Sequence, residues 1–342
     1  MGHNTNRVGS AAHKRAVGEH AVVLGAGIAG LLAARVLSEF YDSVSVVERD
    51  QAPGHPTHRK GVPQGRHVHM FLSRGTQVLA ELFPGLIDEL GAAGAVIIND
   101  GDLSRFYVRT GHYELQRSGT LTDPTAVTLC LASRPFVESH LHRRVAALPN
   151  VALLDGHEVI EPVVEAQAVI GVRIVHRDNG APTDLSAALV VDAMGRSART
   201  PAFLEAMGYG RPPETRSTAT LGYSSQLLGI PYGCIDKQMV VFNLGGGGKP
   251  GGLLLACEND TWMFAVGRTI DTGGAPPDFT TMLELAARAL PPDIMAGLRQ
   301  AHPPSATPRR CGDATTRCRD SPAGCSSSAM RCAAPIPCTG KA

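Results

Sequence analysis

Charge of either sign is not in excess in this chain. Lys and Arg number 32 against 31 Asp and Glu over 342 residues, a net charge of +1. No stretch reads as a basic stripe, so a strong polyanion binder such as a nucleic-acid protein is excluded. A run of the ~18 apolar residues that span a bilayer is also missing. The longest apolar stretch, Ala21 to Ala34, is short and carries three glycines. The first residues hold His, Lys and Arg with no apolar core behind them, so no secretory signal is expected. These absences point to a soluble, cytoplasmic protein with no membrane span. Cysteine spacing suited to a metal is lacking too. Five of the eight cysteines crowd into residues 311–342, four of them seven apart, and the only histidine after Leu298 is His302. Metal sites want close pairs with histidine in support, so no metal is expected, and a reducing compartment argues against a disulfide framework. Residues 301–342 contain no Leu, Val, Phe, Tyr or Trp. Such a tail builds no core and is expected to be disordered.

The body has ordinary globular composition, 43% hydrophobic and 18% charged, in a length that fits one large domain or two. After a polar arm over residues 1–18, a strand-like run from His20 ends at Gly25-Ala26-Gly27-Ile28-Ala29-Gly30. Strong helix formers at helical spacing follow, and then a second strand, Ser43 to Val47, running into Glu48-Arg49-Asp50. This is G-x-G-x-x-G inside a β–α–β unit. The first glycine permits the tight turn, the second lets backbone approach a pyrophosphate, and the third lets helix and strand pack closely. The helix N-terminus offers free N–H groups to the phosphates. Glu48 lies 18 residues after Gly30, placed to accept from a ribose hydroxyl, which points to FAD or NAD rather than NADP.

Three further elements carry less information alone. Arg59 to His69 holds Gln64, His67 and His69 and reads as a solvated basic loop, without the carboxylate or cysteine that a metal would need beside the His-x-His pair. Ser133-Arg134-Pro135 opens a helix from which Arg134 could reach a phosphate or remain a surface arginine. Val190 to Ser197 places Asp192 at a strand end before Gly195. Residues 51–75 read as a functional loop entering a helix at Ser73, and residues 151–191 as a β-meander turning at Asp155-Gly156 and Asn179-Gly180. Gly245 to Gly252 reads as a hairpin loop. Phe279–Leu290 and Asp293–Gln300 read as helices. Gly245 to Pro250 lacks the Gly-Lys-Ser/Thr of a P-loop, and no Ser–His–Asp or Cys–His set is placed together.

In this order the four elements resemble the FAD-dependent monooxygenases of the para-hydroxybenzoate hydroxylase type. Lys60-Gly-Val-Pro-Gln-Gly-Arg-His-Val-His69 is similar to the signature of a bacterial branch, with Lys60 where Arg is usual. Asp192-Ala-Met-Gly195 is similar to the family's Asp–Gly motif, and Arg199-Thr-Pro201 follows it. The resemblance covers roughly residues 20–300. It implies an α/β fold: a Rossmann-like FAD-binding domain over 19–90 and 125–205, interleaved with a mixed β-sheet substrate domain over 91–124 and 206–300. Gly25, Ala26, Gly27, Ala29 and Gly30 would hold the pyrophosphate, with Glu48 and Arg49 at the ribose. Arg134 and Asp192 would contact the cofactor or support its loops. NAD(P)H would be the co-substrate, and a flavin hydroperoxide would hydroxylate a small organic substrate. Gln64, His67 and His69 are candidates near the flavin face. Halogenases of this general fold carry Trp-x-Trp-x-Ile-Pro, which the single Trp262 excludes here. An NAD-dependent dehydrogenase would need a catalytic acid and a nicotinamide site, for which no residue stands out. The alternative reading is a catalytically inactive, truncated fragment that binds at most an adenine dinucleotide.

That alternative comes from the tail over 301–342. Family members carry a third cofactor motif near the C-terminus, a Gly-Asp at a strand end, then Pro and a Gly-rich helix start. Here Gly312-Asp313 lacks a preceding apolar strand. Taking the third base of each codon with the first two of the next, residues 306 onward permit Gly-Leu-Leu-Val-Val-Gly-Asp-Ala, then Asn-Pro and Tyr-Gly-Gln-Gly. The reading frame is therefore expected to slip near residues 302–306, truncating the family pattern and weakening FAD retention and solubility. Sequencing the gene checks this: the shifted frame should stay open through the tail, and a stop codon within it would end the idea.

Overall fold

The computed structural model describes residues 17–304 apart from 53, 216–217, 245–248 and 270–272, together with the backbone of residues 330–335. In chain order its elements are β1 (Gly18–Leu24), α1 (Ile28–Leu37), β2 (Tyr41–Glu48), α2 (Ser73–Leu82), α3 (Leu86–Ala92), β3 (Val96–Ile98), β4 (Phe106–Thr110), β5 (Tyr113–Glu114), β6 (Leu129–Leu131) and α4 (Arg134–Ala146). They continue with β7 (Val151–Asp155), β8 (His157–Glu165), β9 (Ala168–His176), β10 (Pro182–Ser186), β11 (Leu189–Asp192), α5 (Thr200–Ala206) and β12 (Thr218–Gly229). The last are β13 (Met239–Phe242), β14 (Gly251–Ala256), β15 (Thr261–Thr269), α6 (Phe279–Ala286), α7 (Pro292–Leu298) and β16 (Met330–Pro335). Two compact units result, Met1–Ala52 with Leu141–Pro212, and Pro53–His140 with Pro213–Ala342.

The first unit is built on a parallel sheet in the order β11-β1-β2-β7. Its central strand β1 reads Ala-Val-Val-Leu over residues 21–24, and these four are 0–3% exposed. A continuous apolar run suits a parallel strand covered on both faces. On α1 the buried residues are Gly30, Leu31 and Ala34, one narrow stripe toward the sheet. Asn150 closes the far end of the crossover, its Nδ2 donating to the carbonyls of Ser38 and Tyr41 at 2.9 and 3.1 Å. An antiparallel sheet, β10-β9-β8, packs Val159, Val172 and Ile174 against Val22, Leu24 and Val47. Each such side chain taken fully from water contributes roughly 1.5–3 kcal/mol. The expected meander therefore holds for residues 157–186, but its ends go elsewhere. Val151–Asp155 pairs in parallel with β2, and Leu189–Asp192 in parallel with β1. Both ends are apolar runs, Val-Ala-Leu-Leu and Leu-Val-Val, of the kind that suits a parallel strand, but such a run does not say which strand lies alongside.

The second unit is built on a mixed sheet in the order β16-β12-β15-β14-β13-β4-β5. One face carries Leu228, Val240, Phe242, Leu254 and Phe264 and packs under α6 and α7. Asp278 caps α6, its side chain accepting from Thr281 N at 2.7 Å, and Pro292 opens α7. Helix α6 ends at Ala286, before the expected Leu290, which still packs in the core. On the other face Phe106, with Met239 and Val108 packed beside it, meets β3, β6 and Met70. Strands β14 and β15 join through a tight turn in which Asn259 and Asp260 take φ of 58° and 54°. Asn and Asp are the non-glycine residues that tolerate that left-handed conformation best.

Of the arm expected over 1–18, residues 1–16 lie outside the described residues and Gly18 already opens β1; residues 305–329 and 336–342 of the tail also lie outside them. Met330–Pro335, however, forms β16, antiparallel to β12. Pairing of this kind uses backbone groups that every non-proline residue carries, so it asks little of the composition.

Tyr107 is 1% exposed in the second unit's core, and its hydroxyl has no hydrogen-bond partner among the described residues. An unmet buried hydroxyl costs about 1–3 kcal/mol. Tyr107→Phe removes it and keeps the ring beneath Arg117, whose guanidinium lies 4.8 Å from the ring centroid. Urea denaturation should show the variant as stable as the parent or more so; a loss above about 1 kcal/mol would mean the hydroxyl is satisfied.

Candidate functional site

In the first unit the glycine turn sits where β1 hands over to α1. Gly25 N donates to Val47 O at 2.7 Å and Ala193 N donates to Leu24 O at 2.9 Å, so the turn is tied to strands on both sides. The three motif glycines are required for different reasons. Gly25 has φ +98°, a left-handed backbone that side chains disfavour. A Cβ on Gly30 would run into the carbonyl oxygen of Gly25, so this glycine is what lets helix approach strand. Gly27 is different. Its φ of −73° and ψ of 177° suit any residue, and a Cβ there would meet nothing within 4 Å. Neither backbone nor packing demands a glycine at 27. The open space above it is a cradle that a Cβ would narrow, as close approach of a ligand requires.

Gly27 is also the N-cap of α1, no side chain caps that end, and no acidic residue lies in the first turn. The helix therefore presents Ile28, Ala29 and Gly30 amides and the positive end of its dipole. Ala26 is 3% exposed, and Ala29 lies open on the surface. Glu48, at the C-terminal end of β2, turns its carboxylate toward this loop. Its Oε2 accepts from Ala26 N at 2.7 Å and its Oε1 from Asp50 N at 3.0 Å. Arg49 is half exposed, its Nε 3.9 Å from Asp50. Asp192 ends β11 beside Leu24; it accepts from Met194 N at 3.0 Å and from the Thr200 hydroxyl, which organises the loop after it.

In the second unit the loop from 58 to 71 is pinned at several points. Phe71 exchanges backbone hydrogen bonds with Cys130 on β6, each 3.3 Å. Arg59 Nη2 meets Glu138 Oε2 at 2.9 Å, and Arg134 Nε meets Glu138 Oε1 at 2.7 Å. The side chains of all three are 10–17% exposed, so removing one partner of this ion cluster should cost about 3–5 kcal/mol. Glu258, from the β14–β15 turn, accepts from Ser133 N at 2.7 Å and from the Ser133 hydroxyl. A carboxylate thus already occupies the N-terminal end of α4, and Arg134 beside it is ion-paired with Glu138. Gln64 is exposed in a short 3-10 turn that also carries the buried Gly65.

His67 is 4% exposed; its Nδ1 lies 3.0 Å from Ser225 Oγ, and its ring packs edge-on to Tyr223 at 4.7 Å. His69 Nδ1 donates to His67 O at 2.9 Å. Burial holds His67 below the ordinary imidazole range, with His69 adding to it. Burial also lowers His69, opposed by its bond to the His67 carbonyl. His58 is lowered by burial and then by Arg66. Burial, then the Glu258 carboxylate, pushes the Cys130 and Cys257 thiols up to about 12, which removes them as nucleophiles at neutral pH. Among the described residues no group of three or more His, Cys, Asp or Glu is arranged to hold a metal ion, and no helix is long and apolar enough to cross a membrane.

Glu138, Ser225, Tyr223 and Glu258 escaped sequence reasoning. Glu138 alone left a local signal, since it lies four residues after Arg134 on one helix face.

The three depressed histidines have a stability consequence. A lowered folded pKa means that the unfolded chain takes up protons first, below its ordinary value of about 6.5. Stability should be constant above that value and fall as pH drops below it, until the folded histidines also protonate. Denaturation midpoints at pH 7.5 and 5.5 should differ accordingly, and His67→Phe should shrink the difference. A slope unchanged in that variant would show that other groups set it.

No family model matches the chain. Protein Rv3254 of Mycobacterium tuberculosis is 39% identical over 291 residues, which cover 83% of this chain and 60% of that protein. The chain therefore spans about 60% of the length of this curated relative. Among solved structures, PqsL of Pseudomonas aeruginosa in complex with 2-aminobenzoylacetate matches with a TM-score of 0.61 at 13% identity, over 83% of this chain and 72% of that one. The p-nitrophenol 4-monooxygenase PnpA of Pseudomonas putida DLL-E4 matches at 0.56 and 18% identity, over 83% and 66%. The myxobacterial FAD-dependent halogenase CndH matches at 0.55 and 19%, over 83% and 60%. At these identities the likeness concerns the fold, a mixed α/β architecture that this chain shares with FAD-dependent monooxygenases and halogenases.

Proposed function

We propose that the chain is an FAD-dependent oxidoreductase, a monooxygenase that hydroxylates a small organic substrate with NAD(P)H and dioxygen. The observation that carries this reading is Gly27, a glycine that neither backbone nor packing requires, at the uncapped start of α1. A diphosphate placed there would receive the first-turn amides, and a methyl group at residue 27 would stand in its way. Gly25, Ala26, Ala29 and Gly30 shape the turn, Glu48 accepts from the ribose with Arg49 beside it, and Asp192 holds the following loop. In the second unit Arg134 supplies a cation for an anionic group. Gln64, His67 and His69 are the residues proposed to meet the reacting end. FAD, when bound, would supply the redox chemistry. The protein's own part is to bind, to orient the substrate and to exclude water. The first unit is proposed as cofactor-binding and the sheet of the second as substrate-binding.

The alternative, a fragment that binds at most an adenine dinucleotide, is favoured by the composition of residues 301–342. FAD binding with NAD(P)H oxidation supports the first reading; dinucleotide binding without turnover supports the second.

Gly27→Ala tests the central claim directly. Because the added methyl meets no neighbour, its thermal midpoint should stay within about 2 °C of the parent. FAD affinity in reconstitution should nevertheless fall at least about tenfold, or ~1.4 kcal/mol. Gly30→Ala, which drives a methyl into the Gly25 carbonyl, should instead lose stability outright. Unchanged FAD affinity in Gly27→Ala would remove the assignment.

A further inference from the structure

His67 is more than nine-tenths buried, yet only one of its two ring nitrogens is engaged. Nδ1 is held by Ser225, and Nε2, on the far edge of the ring, has no hydrogen-bond partner among the described residues. Nε2 is not one of the fully buried unpaired atoms among the described residues, so it reaches the surface of the fold, where a ligand can meet it. The ring is firmly set. Tyr223 stands edge-on to it, and Tyr223 itself sits over Gly267 on β15, where a Cβ would come within 2.6 Å of the Tyr223 Cβ. A glycine at 267 is thus what allows Tyr223 to stand beside His67.

The surroundings define what the partner can be. Across the sheet from Ser225, in register, come Ala265, Leu253, Val241 and Val108, a row without a polar side chain. Burial keeps the imidazole neutral near pH 7. Arg134, the cation that acts on His69, is met at Nε by Glu138. A carboxylate at Nε2 would lose its hydration with no full charge opposite, whereas an uncharged oxygen would lose little. Ser225 Oγ can donate or accept, so the ring can present Nε2 either as N–H or as a lone pair.

We propose that His67 is a specificity-determining residue whose Nε2 contacts an uncharged ligand, one that carries a hydroxyl or carbonyl oxygen on an apolar body, and that charged analogues are rejected there. That this ligand is the substrate rests on the function proposed above; the binding preference itself does not.

The test uses the full chain and three matched probes: 2-naphthol, 2-methylnaphthalene and 2-naphthoate, measured by equilibrium dialysis at pH 7.5. Naphthol should bind at least about tenfold more tightly than either of the others, since a site built around a hydrogen bond rejects the analogue lacking it. In His67→Phe the naphthol advantage over methylnaphthalene should vanish while methylnaphthalene binding stays within about threefold. Ser225→Ala, which leaves the imidazole but frees its orientation, should lose part of the advantage and guards against a misfolded His67→Phe. Naphthoate binding best, an undiminished preference in both variants, or no binding of any probe would overturn the proposal. Flavin content is read from the absorbance of the same samples. Probe discrimination without bound flavin would leave His67 in place and remove the flavoenzyme reading instead.

Discussion

The close approach of Gly30 to the Gly25 carbonyl is the contact on which the first unit depends. It sets how near α1 comes to the end of β1, and so where the amides of the first helical turn stand relative to the strand ends. Glu48 then reaches back from β2 to the Ala26 amide, and Asp192 arranges the loop after β11. Both carboxylates lie at the C-terminal ends of β2 and β11, the parallel strands on either side of β1. Acidic side chains are costly in a buried site unless backbone N–H groups meet them, and here each oxygen has such a donor or a hydroxyl. The turn and its acids thus stabilise one another before any ligand arrives.

This part was legible in the sequence because it is local. Strand, glycine turn, helix and second strand follow within about thirty residues, and the spacing of the glycines between them is itself the signal. The apolar continuity of residues 21–24 announced a strand. The parallel pairing of residues 151–155 was missed although Val-Ala-Leu-Leu is an apolar run, because nothing in the run names β2 as its neighbour. Strand partners are long-range facts, and a period of two carries no label for them.

The second unit shows the limit more sharply. His67 and Ser225 are 158 residues apart, and Ser133 and Glu258 are 125 apart. No spacing rule connects them; only the sheet does, by bringing β12 and the β14–β15 turn to the loop and helix that carry the partners. The Asn259-Asp260 turn could be recognised as turn-prone from residue types. That it would deliver Glu258 to the start of α4 could not. By contrast Arg134 and Glu138 are four apart on a helix and could be paired from the sequence.

The distribution of polar burial in this unit follows one logic. The sheet face under α6 and α7 is apolar apart from a few hydroxyls, so it contributes stability without direction. The ion cluster of Arg59, Glu138 and Arg134 and the paired histidines lie instead on the loop from 58 to 69 and on α4. Replacing such groups by well-packed apolar residues would be neutral or stabilising, so stability alone does not explain them. What they add is fixed orientation: a guanidinium held at Nε, an imidazole held at Nδ1. A chain that holds polar groups at one atom and leaves another atom of the same group open has the geometry of recognition rather than of a core. That is why the proposed ligand contact falls on the loop rather than on the better-packed sheet beneath the helices.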